Sequence, residues 1–548
     1  MIVAVLLGCA TPPVDTSEPP VVEPAPSIYV PLDPARLARR LSIDTRGRLP
    51  TVDELAEAEA EVGGLDTLTE AWMADPAFEG HLADVVAESW LLRLDTLRID
   101  PTEFGLDPTQ SYPFTRAFDD EPARLVAHVV AQDRPYTEIV TTDVTMANDL
   151  LAEMAPLEFV DPAATGEWRE ARYTDGRPAN GILATTGLWM RYHTTIFNYN
   201  RGRAAALARL LLCYDFAGRP VLFENVADQS TQGLQDAITT SPGCIACHAT
   251  MDPLASTLFG FWPYEDRDGT EMVTYHPERE RLSESITGVS PGYFGTPVTA
   301  AGQLGLFVAD DPRFAVCTAR RTAERLWGRK TALEDDPSVY ALRDALTASW
   351  SYKDLLRATF ATEEYRAGSL TAAATDAQRQ AAHPLRLMSP TTLRAVVEDA
   401  TGFQWTFTGV DLLDSDTLGF RVLLGGADGD TVREPNLEPT VSRSVALRRL
   451  AQAAATWVVG HDAAADPVDR RLIGTETPDA LAVLTPTNPA FEGALRDIHL
   501  RLMAKEPDAE AIAAETDLFS AAEATGGPEG GWTAVVSVLL RDPEFWTY

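Results

Sequence analysis

Ser241-Pro242-Gly243-Cys244-Ile245-Ala246-Cys247-His248-Ala249-Thr250-Met251-Asp252-Pro253 is the stretch on which the reading of this chain turns. It holds one Cys-x-x-Cys-His, the attachment signature of a c-type haem. In such a site the two thiols, here Cys244 and Cys247, add across the haem vinyl groups. The next imidazole, here His248, ligates the iron. Five cysteines and eight histidines in 548 residues give a chance expectation of roughly 0.0007 for this pentapeptide. Three other readings of the thiols stay open. Zinc needs further ligands, and only Cys213 and Cys317 are spare. A redox disulfide lacks a preceding βαβ pattern. Inert thiols are the third.

A haem iron has a second axial position. Met251 lies too close to His248 in sequence to reach the opposite face. Met272 and His276 downstream, and Met190 and His193 upstream, are the candidates, and an open position is the alternative. Methionine raises the potential relative to histidine, whereas an open site permits ligand binding or peroxidase-like chemistry. Arg201 and Arg203 are candidate partners for haem propionates. His128, on an apolar helical face, reads as a packed core histidine.

The formal charge of −36 excludes a nucleic-acid binder, which needs a basic footprint. Hydrophobic content of 45% with 23% charged residues is that of a folded globular protein. The opening Met1-Ile2-Val3-Ala4-Val5-Leu6-Leu7-Gly8-Cys9 resembles a bacterial lipoprotein signal, with Cys9 as the lipidated residue. It has no basic residue in front, and its apolar run is shorter than the usual ~7–15 residues, which points to a start further upstream. Export leaves Cys213 and Cys317 as either one disulfide or two buried thiols. The only membrane contact expected is through the N-terminal lipid, and the expected partner is a redox protein.

The expected fold class is mainly α, a multi-domain helical protein with an irregular Gly/Pro-rich region over the haem. Residues 1–9 read as signal and 10–34 as a Pro-rich tether. A helical domain follows over 35–160, then a haem region over 161–306 and a second helical domain over 307–370. Residues 371–382 form a linker to a C-terminal helical domain over 383–548. Helices are predicted over 122–132, 144–153, 201–213, 312–326, 337–360 and 441–459. Thr51 and Glu54 form a capping box. Asp252-Pro253 reads as the start of a short helix through 258. Residues 260–305 read as a long loop, and 425–430 as a turn that lacks the glutamate spacing of an EF-hand. Three segments share a pattern of helix, basic residue, helix and closing aromatic: 41–78, 314–365 and 498–545.

Cys244-x-x-Cys247-His248-x-x-Met251-Asp252-Pro253-Leu254 resembles the cytochrome c-like domains of unknown function of planctomycetes and myxobacteria. Arg40-Leu41-Ser42-Ile43-Asp44-x-x-Gly47-Arg48-Leu49-Pro50-Thr51 is similar to their N-terminal signature. Thr145-Met146-Ala147-Asn148, Asn200-Arg201-Gly202-Arg203-Ala204 with Leu212-Cys213, Phe314-Ala315-Val316-Cys317 with Gly328-Arg329, Leu424-Gly425-Gly426-Ala427-Asp428, and Leu540-Arg541-Asp542-Pro543 resemble further segments. The resemblance implies export and haem c, with Cys244, Cys247 and His248 as its site. It supplies no substrate. The expectation is therefore a lipid-anchored cell-envelope protein, periplasmic or at the outer membrane or cell surface, that passes single electrons. A haem enzyme with an open iron site is one alternative. A structural lipoprotein with a zinc-bound or disulfide Cys-x-x-Cys is the other.

Overall fold

A computed structural model describes residues 27–60, 63–93, 100–218, 230–263, 269–415, 418–429 and 431–548. The signal, Cys9 and residues 10–26 of the tether lie outside the described residues. The protein is mainly α-helical, with a few short strands.

The tether stops short of residue 34. Tyr29–Pro31 is a strand paired antiparallel with Ala367–Leu370, and the first helix already starts at Pro34. That helix, Pro34–Arg46, is capped by Asp33, whose carboxylate accepts from Arg36 N–H at 2.9 Å. It ends on Gly47 in the left-handed region. Thr51 and Glu54 close the capping box of the next helix, Val52–Ala60.

The first helix carries two arginines on its buried side. Arg39 donates to the carbonyls of Leu502 (2.9 Å), Thr547 (3.1 Å) and Phe545 (2.5 Å). Arg40 donates to Tyr365, to Ala367 at 2.9 Å and to Pro384 at 2.7 Å. A buried guanidinium has five N–H groups to satisfy, and carbonyls at chain turns accept from several of them, while Arg40 Nε is buried without a partner among the described residues. Burial holds Arg39 down to about 9. One turn on, Asp44 accepts from the hydroxyls of Tyr365 (2.8 Å) and Tyr548 (3.1 Å) and from Arg386 at 2.8 Å.

These contacts join the three repeated segments, which share one construction. Helices Pro34–Arg46, Pro312–Trp327 and Phe491–Met503 each end on a left-handed residue, Gly47, Gly328 and Ala504. The basic residue that follows pairs with a carboxylate of the closing turn: Arg48 with Asp75, Arg329 with Glu364, Lys505 with Glu544. That turn, capped by Asp75, Thr362 or Asp542, buries Phe78, Tyr365 or Phe545.

One large core takes side chains from Ala35 to Tyr365, for example Trp72, Leu125, Trp189, Leu254 and Phe314. The units expected at 35–160, 161–306 and 307–370 all contribute side chains to this large core. Amphipathic helices bury their apolar stripes against whichever helix completes the layer, not against sequence neighbours alone. A second core runs from Met388 to Phe545 and includes Ile43 and Leu49. Between the two cores, the linker segment holds a short exposed helix, Asp376–Ala381.

Several predicted elements differ. The helix expected at 122–132 is Ser111–Ala131, which passes through Pro122. Proline leaves the carbonyl four residues back, Phe118, without its helical donor. The helix Thr186–Arg191 packs against that notch through Gly187, where an added Cβ would lie 1.8 Å from Phe118 O. Beside it, the buried Glu121 accepts from Gly187 N–H (2.9 Å), Tyr173 (2.6 Å) and Thr145 (2.9 Å). Burial pushes its carboxyl up. The helix expected at 144–153 begins instead as strand Thr145–Ala147, followed by helix Asp149–Met154 capped by Asn148. That strand pairs with Arg169–Tyr173, the centre of a three-stranded antiparallel sheet completed by Leu157–Phe159. The helix expected at 337–360 is two, Asp336–Ser349 and Tyr352–Phe360, broken at the left-handed Trp350. Residues 260–305 hold short helices and a hairpin, Gly292–Tyr293 with Thr296–Pro297, rather than one loop.

Candidate functional site

The Cys-x-x-Cys-His lies on the helix Pro242–Ser256. Ser241 and Pro242 open it, which leaves Asp252-Pro253 inside it rather than at the start of a new helix. Pro253 forgoes one backbone bond there, a loss a helix tolerates when its neighbours pack well. Leu254, Ala255 and Ser256 are buried beyond it.

Cys244 and Cys247 are one turn apart, so both thiols project from the same side. Both are unpaired and half-buried. The Cys247 thiol points at the Phe216 carbonyl, 3.7 Å away. Phe216 belongs to an aromatic group with Tyr214 (4.9 Å between centroids) and Phe294 (6.3 Å). The outward residues Pro242, Gly243, Ile245, Ala246 and Ala249 are exposed and carry no charge.

His248 is held from behind. Its Nδ1 lies 2.9 Å from Asp252 Oδ1, one turn along the same helix. Arg201 grips the same carboxylate bidentately, Nε to Oδ1 at 2.8 Å and Nη2 to Oδ2 at 2.9 Å. Burial works against ionisation of Asp252, but His248 and Arg201 outweigh it and hold its carboxyl below the usual range. With Nδ1 engaged, Nε2 is the free ring nitrogen; it has no hydrogen-bond partner among the described residues.

Arg203 is occupied elsewhere, which corrects its expected role as a propionate partner. It is buried and donates to Tyr192 O (3.1 Å), Trp189 O (3.0 Å), Phe261 O (2.7 Å) and Asn200 Oδ1 (3.1 Å). Burial lowers it to about 9. Arg201 is likewise committed, to Asp252.

The axial candidates fall in different places. Met190 and Met272 belong to a small core with Phe114, Phe118 and Ala171. His276 binds Gly260 O through its backbone N–H at 2.8 Å, and its Nδ1 faces Glu278 at 3.3 Å. Its Nε2 is buried without a partner among the described residues. His193 stands beside the start of the helix Arg201–Leu212, where its carbonyl lies 4.0 Å from a Cβ added at Gly202. Among the described residues no three His, Cys, Asp or Glu side chains are grouped as metal ligands.

Cys213, at the left-handed end of the helix Arg201–Leu212, is bonded to Cys317 with an S–S length of 2.08 Å. The sequence reading missed Asp252 as the partner of His248. The i, i+4 spacing that carries it was visible, but Pro253 disguised the helix that makes it meaningful. His128 is also more than a packed core residue. Its ring nitrogens face Glu79 (3.2 Å) and Glu170 (3.1 Å), and these carboxylates raise its pKa.

Residues 32–154 match a family model described as a protein of unknown function (DUF1592). Two of the segments that carried the resemblance, 40–51 and 145–148, lie within that match. No curated protein and no solved structure matches the chain.

Proposed function

We propose that this is an exported, lipid-anchored c-type haem protein that passes single electrons in the cell envelope. Cys244 and Cys247 are the covalent attachments and His248 is the proximal iron ligand. The observation that carries the reading is the state of His248: Nδ1 anchored by a buried carboxylate, Nε2 unengaged, two unpaired thiols within the preceding turn. Metal-ligating histidines characteristically use the second nitrogen in this way. A structural zinc would need about four protein ligands. A haem brings four nitrogens of its own, so His248 and one axial group would suffice. When bound, the haem supplies a one-electron couple. Cys244 and Cys247 would attach it and Asp252 would orient the imidazole, with the Tyr214, Phe216 and Phe294 cluster joined to Cys247 through the Phe216 carbonyl. The Cys213–Cys317 bond supports an oxidising compartment. No helix among the described residues is long and apolar enough to cross a membrane. The lipid anchor rests on Cys9 alone.

A pyridine-haemochrome spectrum of protein made with haem-maturation machinery tests the reading. A c-type α band is expected, and its loss in Cys244→Ala/Cys247→Ala. Absence of the band in the wild type sinks the proposal and leaves a zinc or disulfide Cys-x-x-Cys. A haem enzyme with an open iron site is the second reading. The placement of Met190 and Met272 in a separate core favours it. Carbon monoxide binding to the reduced protein distinguishes it from a six-coordinate electron carrier.

A further inference from the structure

We infer that Asp252 and Arg201 are positioning residues that set the reduction potential of a haem held by His248, and that they act with opposite sign. This rests on the haem reading above.

Asp252 is buried, 8% exposed, and its carboxylate accepts from His248 Nδ1 and from Nε and Nη2 along one edge of the Arg201 guanidinium. A carboxylate on the back nitrogen of a ligating imidazole makes the front nitrogen a stronger donor, and stronger donation stabilises the ferric ion over the ferrous. Arg201 counters this by neutralising the same oxygens. One oxygen, Asp252 Oδ1, serves both partners, so what Arg201 takes from the carboxylate the imidazole does not receive. Low local dielectric makes each contribution larger than it would be in water. Asp252 and His248 share a helix at one-turn spacing, which fixes their geometry. Arg201 comes from a different helix, Arg201–Leu212.

The test is a mediated redox titration of the haem-loaded protein. Asp252→Asn keeps an oxygen for Nδ1–H and removes the charge. Its midpoint rises, with the ferrous-to-ferric ratio at a fixed ambient potential increased about tenfold, or about 59 mV for one electron. Arg201→Met moves the midpoint the other way by a similar factor. Arg201→Lys returns most of that shift. Arg209→Met, which removes an exposed charge from the same helix, changes little. A merely structural role would lower thermal stability or haem loading without opposite shifts. Midpoints that move in the same direction, or an Asp252→Asn midpoint at or below wild type, overturn the inference while leaving the haem reading intact. If Asp252→Asn does not load haem, the Arg201→Met and Arg201→Lys pair decides. A wild type without haem overturns both.

Discussion

His81 shows what one buried side chain imposes on the molecule. It packs against the turn at Gly47, where a Cβ would meet its Nδ1 at 2.4 Å, and that nitrogen is buried without a partner among the described residues. Burial lowers its pKa from 6.5 to about 4. The unfolded chain therefore takes up a proton that the folded one refuses. Stability is fully present above the unfolded value and is lost as pH falls from 6.5 to about 4, by on the order of 3 kcal/mol. Urea midpoints across that window check it, with His81→Leu expected to flatten the dependence. His128 works in the opposite sense: its raised pKa adds stability below the unfolded value that is lost as pH rises. The His81 variant separates the two. At this scale the sequence was uneven. Cys244, Cys247 and His248 declare themselves by local spacing. Asp252 does not, because Pro253 disguises its helix, and neither do Arg39 and Arg40, because an arginine that binds carbonyls hundreds of residues away looks like any surface arginine.

Elements follow their local chemistry where the ends are marked. Asp33-Pro34, Ser389-Pro390 and Thr51 with Glu54 start the helices that their caps foretell. Errors arise where tertiary packing overrides a local rule. Pro122 and Pro253 each sit inside a helix, and Trp350 breaks one without any glycine or proline. The Pro122 notch yields a sharp expectation. Gly187 has ordinary backbone angles, so its need is purely one of space: an alanine methyl would fall 1.8 Å from Phe118 O, a backbone atom that cannot turn aside. Gly187→Ala should cost at least about 3 kcal/mol. Gly243→Ala, with nothing within 4 Å of the added carbon, should not lower stability. Thermal melting of the two variants side by side checks both.

For the whole molecule, the Cys213–Cys317 bond closes a segment with a sequence separation of 104 that contains Cys244, Cys247, His248 and Asp252. Cross-linking so long a segment restricts the unfolded chain by about 4–5 kcal/mol in the chain-entropy account. Cys213→Ala/Cys317→Ala should lose stability on that order, read from guanidinium unfolding. The helical class was legible from periodicity and caps. The large core to which three expected domains contribute was not, since periodicity shows which face is buried and never against what. The grip of the first helix on distant carbonyls carries a further consequence, in the order of synthesis. Arg39 waits for Leu502, Phe545 and Thr547, and Asp44 for Tyr548, groups made roughly five hundred residues later. Until those residues leave the ribosome, Arg39 lacks the carbonyls that satisfy its guanidinium. The first helix is thus completed only when the last residues of the chain arrive.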